Sequence, residues 1–264
     1  MIGKALLHEL RLAAIALQFF TRLPVPRAVG FEPDWLNQSA RHFPLIGFVV
    51  GAAGAGVLAV GSWGFGTGVG VGLSMAATAW LTGAFHEDGL ADTADALGGA
   101  VSRERALEIM KDSRIGSYGA VALLLVLGLK AAALASLPVA LGVPALLLAH
   151  TASRAAAVSL IRWLPYAGDV SQAKAKPLAQ RVSGTGLAVA LLWVGLLALG
   201  LVALRFGLWP GVAIGLAMVA VGTLACGHWF RRRLGGITGD TLGATQQLTE
   251  LLCLLGWVLA LRWA

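Results

Sequence analysis

Residues 184–204 read Gly-Thr-Gly-Leu-Ala-Val-Ala-Leu-Leu-Trp-Val-Gly-Leu-Leu-Ala-Leu-Gly-Leu-Val-Ala-Leu, a run without a single charge. About 20 mostly apolar residues suffice for a helix to cross a bilayer, so this run reads as a membrane span. Similar runs lie at 43–63, 65–85, 117–138, 144–163, 208–229 and 242–261, which makes seven spans in all. The composition agrees. Of 264 residues, 58% are hydrophobic and 12% charged, about half the charged share of a soluble domain. Mean hydropathy is +0.79. With 35 glycines for close helix packing and nine tryptophans for interfaces, a soluble domain, a secreted disulfide scaffold and a disordered chain are excluded.

The ends and the two cysteines add limits. Residues 3–21 mix Leu, Ala and Phe with Lys4, His8, Glu9 and Arg11, so they read as an amphipathic helix on the membrane face. Charges at Lys4, Glu9, Arg11 and Arg22 interrupt any cleavable apolar leader. Cys226 and Cys253 sit in apolar runs, with neither metal spacing nor a disulfide framework. The net charge of +7 suits anionic lipid or phosphorylated ligands. It carries no nucleic-acid signature, since no basic stripe with interleaved aromatics stands outside the apolar runs.

Basic residues set the orientation. If 1–42 is cytoplasmic, then 86–116, 162–183 and 230–241 are too. Sixteen of the 20 Lys and Arg then fall inside, whereas 61–68 and 138–143 carry no charge and 205–209 carries only Arg205. Twelve of the 13 acidic residues share that side, with Glu250 alone in a span. The chemistry is expected there. The expectation is an all-α polytopic membrane helix bundle, 1–264 as a single catalytic domain, with 86–116 and 230–241 as its cytoplasmic active-site segments and the C-terminus outside.

The second span runs on into Phe85-His86-Glu87-Asp88-Gly89-Leu90-Ala91-Asp92-Thr93-Ala94-Asp95-Ala96. On a helix, Asp88, Asp92 and Asp95 share one stripe, and Glu87 lies about 100° round. Three stacked like charges without a local counter-charge call for a cation. Carboxylate oxygens suit Mg²⁺, Mn²⁺ or Ca²⁺, and Mg²⁺ characteristically bridges carboxylates to phosphates.

Two more polar stretches are expected to meet this one. Lys111-Asp112-Ser113-Arg114-Ile115-Gly116-Ser117-Tyr118-Gly119 offers backbone N–H groups and a bidentate guanidinium to an anion. Gly235-Gly236-Ile237-Thr238-Gly239-Asp240-Thr241 opens the last span, where Asp240 reads as an N-cap, a further metal ligand or a base, and Thr238 as a substrate contact. Neither stretch is a Walker motif. Arg154, about 15 Å inside the fourth span, needs a polar cavity or a carboxylate, and it too is read as substrate-binding. His150 reads as a satisfied buried histidine. Glu250, Gln246 and Gln247 either line that cavity or lock helices. Lys174, Lys176 and Arg181 are positive-inside residues before they are phosphate contacts, and Lys130 is given no role.

The acidic stretch through Leu97 resembles the signature of the cobalamin synthase family, the adenosylcobinamide-GDP ribazoletransferases. In the same order, so do Gln18-Phe19-Phe20-Thr21-Arg22-Leu23-Pro24-Val25-Pro26, Phe43-Pro44-Leu45-Ile46-Gly47, Met110 to Gly116, and Gly235 to Ala244. One departure is Gln247, where the family pattern often carries Glu. The resemblance implies an Mg²⁺-dependent enzyme of the bacterial or archaeal cytoplasmic membrane that joins adenosylcobinamide-GDP to α-ribazole or its 5′-phosphate. Products would be adenosylcobalamin, or its 5′-phosphate, and GMP. On that implication Asp88, Asp92, Asp95, Asp240 and Glu87 are metal ligands, with Asp240 an alternative base. Arg114 and Lys111 clamp phosphate. The expected partners are these small molecules and membrane lipid, with homo-oligomers possible and no nucleic acid. A CDP-alcohol phosphotransferase is the rival enzyme, but its Asp-x-x-Asp-Gly-x-x-Ala-Arg motif fails here because Ala91 is followed by Asp92. A cation transporter would place charges at the midplane and show internal symmetry.

Overall fold

A computed structural model describes residues 2–30, 32–168 and 179–263. Lys174 and Lys176 lie outside them. The described elements are helical apart from one isolated bridge, Tyr166 to Ile237. In order they are α1 (Ile2–Phe20), α2 (Pro33–Ser39), α3 (Phe43–Phe65), α4 (Thr67–Thr82), α5 (Phe85–Leu97), α6 (Arg103–Ile109), α7 (Ser117–Ala135), α8 (Val139–Trp163), α9 (Gly184–Leu204), α10 (Trp209–Leu234) and α11 (Gly239–Trp263). Six stretches are long and apolar enough to cross a membrane: Asp34–Phe65, Ser117–Ala135, Val139–Trp163, Gly184–Leu204, Phe206–Leu234 and Gly239–Trp263. The pair α4 and α5 makes a seventh if counted as one span bent by 88°.

That bend corrects the expected straight run from the second span into the acidic stretch. Gly83 and Ala84 both adopt the left-handed conformation, at φ 68° and 56°, and Ala84 is the one non-glycine residue to do so among those described. Two successive left-handed residues end α4 and restart the chain crosswise. For alanine this conformation is uphill, so packing must impose it. Part of that packing is the Arg22 backbone, whose N–H donates to the Leu81 carbonyl at 2.9 Å.

The surface is that of a membrane protein. Leu124, Leu125, Leu199 and Leu224 stand well exposed on their helices. Trp63, Trp209 and Trp263, exposed near the ends of α3, α10 and α11, form an aromatic rim at one end of the bundle. Inside, two apolar clusters flank a polar layer. One gathers Phe20, Phe43, Leu90, Leu97, Phe230 and Leu242. The other gathers Leu58, Leu134, Leu148, Val212, Leu254 and Trp257. Small residues let the backbones touch. A β-carbon on Gly47 of α3 would stand 2.2 Å from the His150 carbonyl oxygen of α8.

The segments 86–116 and 230–241 are mostly helix. Only Gly235 to Thr238 separate α10 from α11. Arg231, Arg232 and Arg233 close α10, where cations oppose the negative helix end. Arg233 donates to the carbonyls of Leu97 (3.1 Å) and Gly99 (2.8 Å) at the end of α5. Arg103 donates to those of Leu234 (2.7 Å) and Ala167 (3.2 Å). Arginines at this end therefore also tie the short helices down. α1 packs Leu12, Ile15 and Ala16 inward and leaves Leu6, Leu7 and Leu10 exposed, and its Glu9 bonds Arg41 (3.0 Å) and His42 (2.8 Å).

Candidate active site

The acidic stretch is helical, so Asp88, Asp92 and Asp95 do share a stripe on α5, with Asp88 exposed and the other two half-buried. What α5 meets decides how these carboxylates are used. A β-carbon on Gly89, one residue past Asp88, would lie 2.8 Å from the Asp240 carbonyl oxygen, 3.1 Å from its α-carbon and 3.2 Å from the Gly243 α-carbon. The first turn of α11 is thus laid backbone to backbone on α5. Asp240, 151 residues beyond Gly89 in the chain, arrives beside the stripe because glycine occupies both 89 and 243.

The cap of α11 is Thr238, not Asp240. The Thr238 hydroxyl accepts the Thr241 N–H (3.3 Å), and the Thr241 hydroxyl accepts the Thr238 N–H (2.8 Å). This is a reciprocal capping box with threonine at both positions. The Thr238 hydroxyl also donates to the Met110 sulfur (3.5 Å), and the residue is buried. Its side chain is therefore committed to the helix start rather than turned to a substrate. Asp240 falls in the first helical turn, where a negative charge is favoured by the helix dipole.

Asp95 also has a commitment. Its two oxygens accept the N–H groups of Gly116 (2.7 Å) and Gly119 (2.8 Å) at the start of α7. A β-carbon on either glycine would come within 2.4 Å of that carboxylate. Asp95 thereby caps α7 and seats the Lys111–Gly119 segment against α5. A stripe from 88 to 95 also spans about 10 Å of helix, too long for one ion to touch both ends. Among the described residues, no three His, Cys, Asp or Glu side chains stand close enough to hold a metal by themselves. In the same segment Lys111 is exposed. Arg114 grips Asp112 with Nε to Oδ1 at 3.0 Å and Nη2 to Oδ2 at 2.6 Å while its side chain stays 86% exposed. Those bonds hold the Asp112 carboxyl down to about 2 and raise the Arg114 guanidinium. Both groups therefore stay charged across the physiological range. Arg181 pairs with Asp34 (2.9 Å).

Beneath this face lies the polar layer. Glu250 pairs with Lys130 and, at 3.0 Å, with His150 Nδ1, and it accepts the Gln246 amide. Gln247 donates to Gln246 (2.9 Å) and to Glu87 (3.1 Å), and accepts from Lys130 (3.0 Å). Arg154 donates to the His150 carbonyl (3.0 Å) and lies 5.6 Å from the centre of the Phe20 ring. Glu250 thus both lines a cavity, of about 220 Å³, and locks α7, α8 and α11 together. His150 is satisfied as expected. Lys130, given no role from sequence, is the counter-charge of Glu250. Its signal was available, because a lysine mid-way along an apolar run requires a partner.

Asp88 and Asp92 on α5 and Asp240 in the first turn of α11 offer carboxylate oxygens, the donors that hard cations take. Glu87, bonded to Gln247, faces the cavity of the polar layer instead, where its Oε2 is buried with no partner among the described residues. The residues present therefore fit Mg²⁺ held by a few carboxylates together with phosphate oxygens.

The model of the cobalamin-5-phosphate synthase family matches residues 12–258. An adenosylcobinamide-GDP ribazoletransferase of Leptothrix cholodnii is 58% identical over 261 residues, covering 96% of this chain and 97% of the relative. Enzymes of the same name from Ralstonia nicotianae and Vibrio cholerae are 48% and 45% identical, over 98% and 94% of this chain and 98% and 93% of theirs. No solved structure matches. The chain belongs to the cobalamin-5-phosphate synthase family.

Proposed function

We propose that this membrane protein transfers the cobinamide phosphoryl group of adenosylcobinamide-GDP to a hydroxyl of α-ribazole, or of its 5′-phosphate, and releases GMP. The observation that carries the reading is the Gly89–Gly243 contact. It lays the Asp240 backbone against Gly89, next to Asp88, at the end of the bundle where Arg114 and Lys111 also stand. The hydroxyl oxygen forms a bond to the phosphorus attached to cobinamide. The bond from that phosphorus to the GMP oxygen breaks, and its electron pair leaves with GMP. The hydroxyl proton passes to a carboxylate, for which Asp240 is our assignment. Asp88 and Asp92, one turn apart on α5, would hold Mg²⁺, which when bound supplies positive charge against the phosphate oxygens. Arg114 and Lys111 orient the diphosphate.

The same reading puts this face in the cytoplasm of a bacterial or archaeal cell and the protein in its cytoplasmic membrane, supported by the clustering of arginines at that end. Purified membranes given adenosylcobinamide-GDP and α-ribazole should release GMP only when both are present. GMP release independent of α-ribazole, or none at all, would reject the activity. In intact cells Ser102→Cys should resist an impermeant thiol reagent while a cysteine added after Ala264 reacts, and the reverse pattern would invert the topology.

A further inference from the structure

Beside the acidic face a narrow slot descends into the bundle between α1, α3, α5, α8 and α11. From Ile161 at its mouth to Arg154 at its floor is seven residues of α8, and from Gly239 to Gln246 is seven of α11, each about 10 Å of helix. Its wall is aromatic. Phe19 and Phe43 stack at 5.8 Å, Phe20 meets Phe43 edge-on at 4.6 Å, and Phe19 meets Phe85 edge-on at 5.4 Å. Gly243 belongs both to this wall and to the contact with Gly89, so slot and acidic face are one residue apart.

The slot's floor is the Arg154 guanidinium, and His86, stacked on Phe20 at 5.3 Å, adds a further flat ring to the wall. Arg154 is 1% exposed, and its Nε has no partner among the described residues. A buried unpaired donor is costly, and an acceptor from a ligand would recover that cost. Gln246 has no donor to spare, since its amide is bonded to Glu250 and Ser153. The ligand that suits an aromatic slot with a spare guanidinium N–H at its floor is a flat fused-ring base with a bare ring nitrogen. The dimethylbenzimidazole of ribazole is such a base. Guanine suits it less, because its N1–H and amine need acceptors and the Gln246 oxygen is already taken by Gln247.

We infer that this slot is the subsite for the heteroaromatic base of the ribazole acceptor, with Arg154 donating to its free ring nitrogen; this rests on the transferase reading above. The free volume is about 30 Å³, far less than a fused-ring base occupies. Base entry therefore requires the rings at the mouth to part. Phe85 is 41% exposed there and directly follows the left-handed Ala84.

The test compares α-ribazole with its dimethylindole counterpart, which has carbon in place of the ring nitrogen. The wild type should prefer α-ribazole at least tenfold in kcat/KM, and Arg154→Met should erase that preference. Ala157→Leu, which fills the slot, should raise KM for α-ribazole about tenfold while KM for adenosylcobinamide-GDP stays within twofold. Equal use of the two acceptors by the wild type, or a parallel change in both KM values, would overturn the subsite. Should Ala157→Leu fail to fold, Phe85→Ala at the open mouth should admit a bulkier naphthimidazole nucleoside that the wild type rejects, and continued rejection counts against the slot. Equilibrium dialysis of α-ribazole alone separates the two levels. Binding weakened by Ala157→Leu without any transfer by the wild type would sink the transferase reading and keep the slot. Binding indifferent to the slot variants, with transfer intact, would do the opposite.

Discussion

Replacing Gly89 by alanine tests the juxtaposition on which the active site rests. The new β-carbon would stand 2.8 Å from the Asp240 carbonyl oxygen and 3.2 Å from the Gly243 α-carbon. Both neighbours are backbone, so no side chain can swing aside. Restoring ordinary contact requires α5 and α11 to part by about 0.6 Å. Such overpacking costs about 1–3 kcal/mol, of which alanine's better helix propensity returns about 1. The net loss of stability is then about 0–2 kcal/mol. The loss of rate should be larger, because displacing a catalytic group by about 1 Å can cost about 100-fold. We expect kcat to fall about 10- to 100-fold, read as GMP release in detergent, with only a modest drop in unfolding temperature. Gly128→Ala is the control, since no atom lies within 4 Å of its β-carbon position, and it should keep wild-type kinetics. A folded Gly89→Ala protein with wild-type kcat would show that the α5–α11 spacing does not set the chemistry.

Asp92→Asn should abolish most turnover and raise the Mg²⁺ concentration needed for what remains, with the fold intact; unfolding, or full turnover at unchanged Mg²⁺ dependence, would remove Asp92 from the metal set. Asp95→Asn is predicted to behave differently. It turns an amide toward the N–H of Gly116 or Gly119 and should cost about 1–3 kcal/mol of stability, so unchanged thermal unfolding would refute its capping role. Arg114→Lys keeps charge but loses the planar fork. It should lower kcat/KM for the GDP-activated donor, and wild-type kinetics would return Arg114 to a purely local role with Asp112. Lys130→Met leaves Glu250 without its cation and should destabilise by about 3–5 kcal/mol. The double variant Lys130→Met with Glu250→Leu should recover more than half of that, and a single variant as stable as the wild type would show the pair to be dispensable.

Much of the architecture was legible one residue at a time. The apolar runs located six spans to within a few residues, because the membrane demands length and hydropathy from each helix separately. The helical stripe of Asp88, Asp92 and Asp95 followed from spacing alone. The bend after Thr82 did not. Two left-handed residues are marked in sequence only by Gly83, and the alanine beside it is held there by packing. Span 65–85 was therefore read as straight. Thr238 displaced Asp240 as the cap because threonine at 241 completes a reciprocal pair, a signal that lay in the sequence three residues on.

Local chemistry was determined by the sequence itself: which segments enter the bilayer, which end carries the charge, and which residue types could hold a divalent ion against phosphate. Each depends on interactions within a few residues or with the solvent, and so leaves a periodic or compositional trace. Partnership was decided only by the tertiary structure. It set Asp240 on Gly89, spent Asp95 on the first turn of α7, matched Lys130 with Glu250 and left Arg154 with a spare donor under four phenylalanines. Those pairings join residues 21 to 151 positions apart, and no spacing rule reaches that far. They follow from where glycines let one backbone touch another, which is a property of the packed helices and not of any one of them.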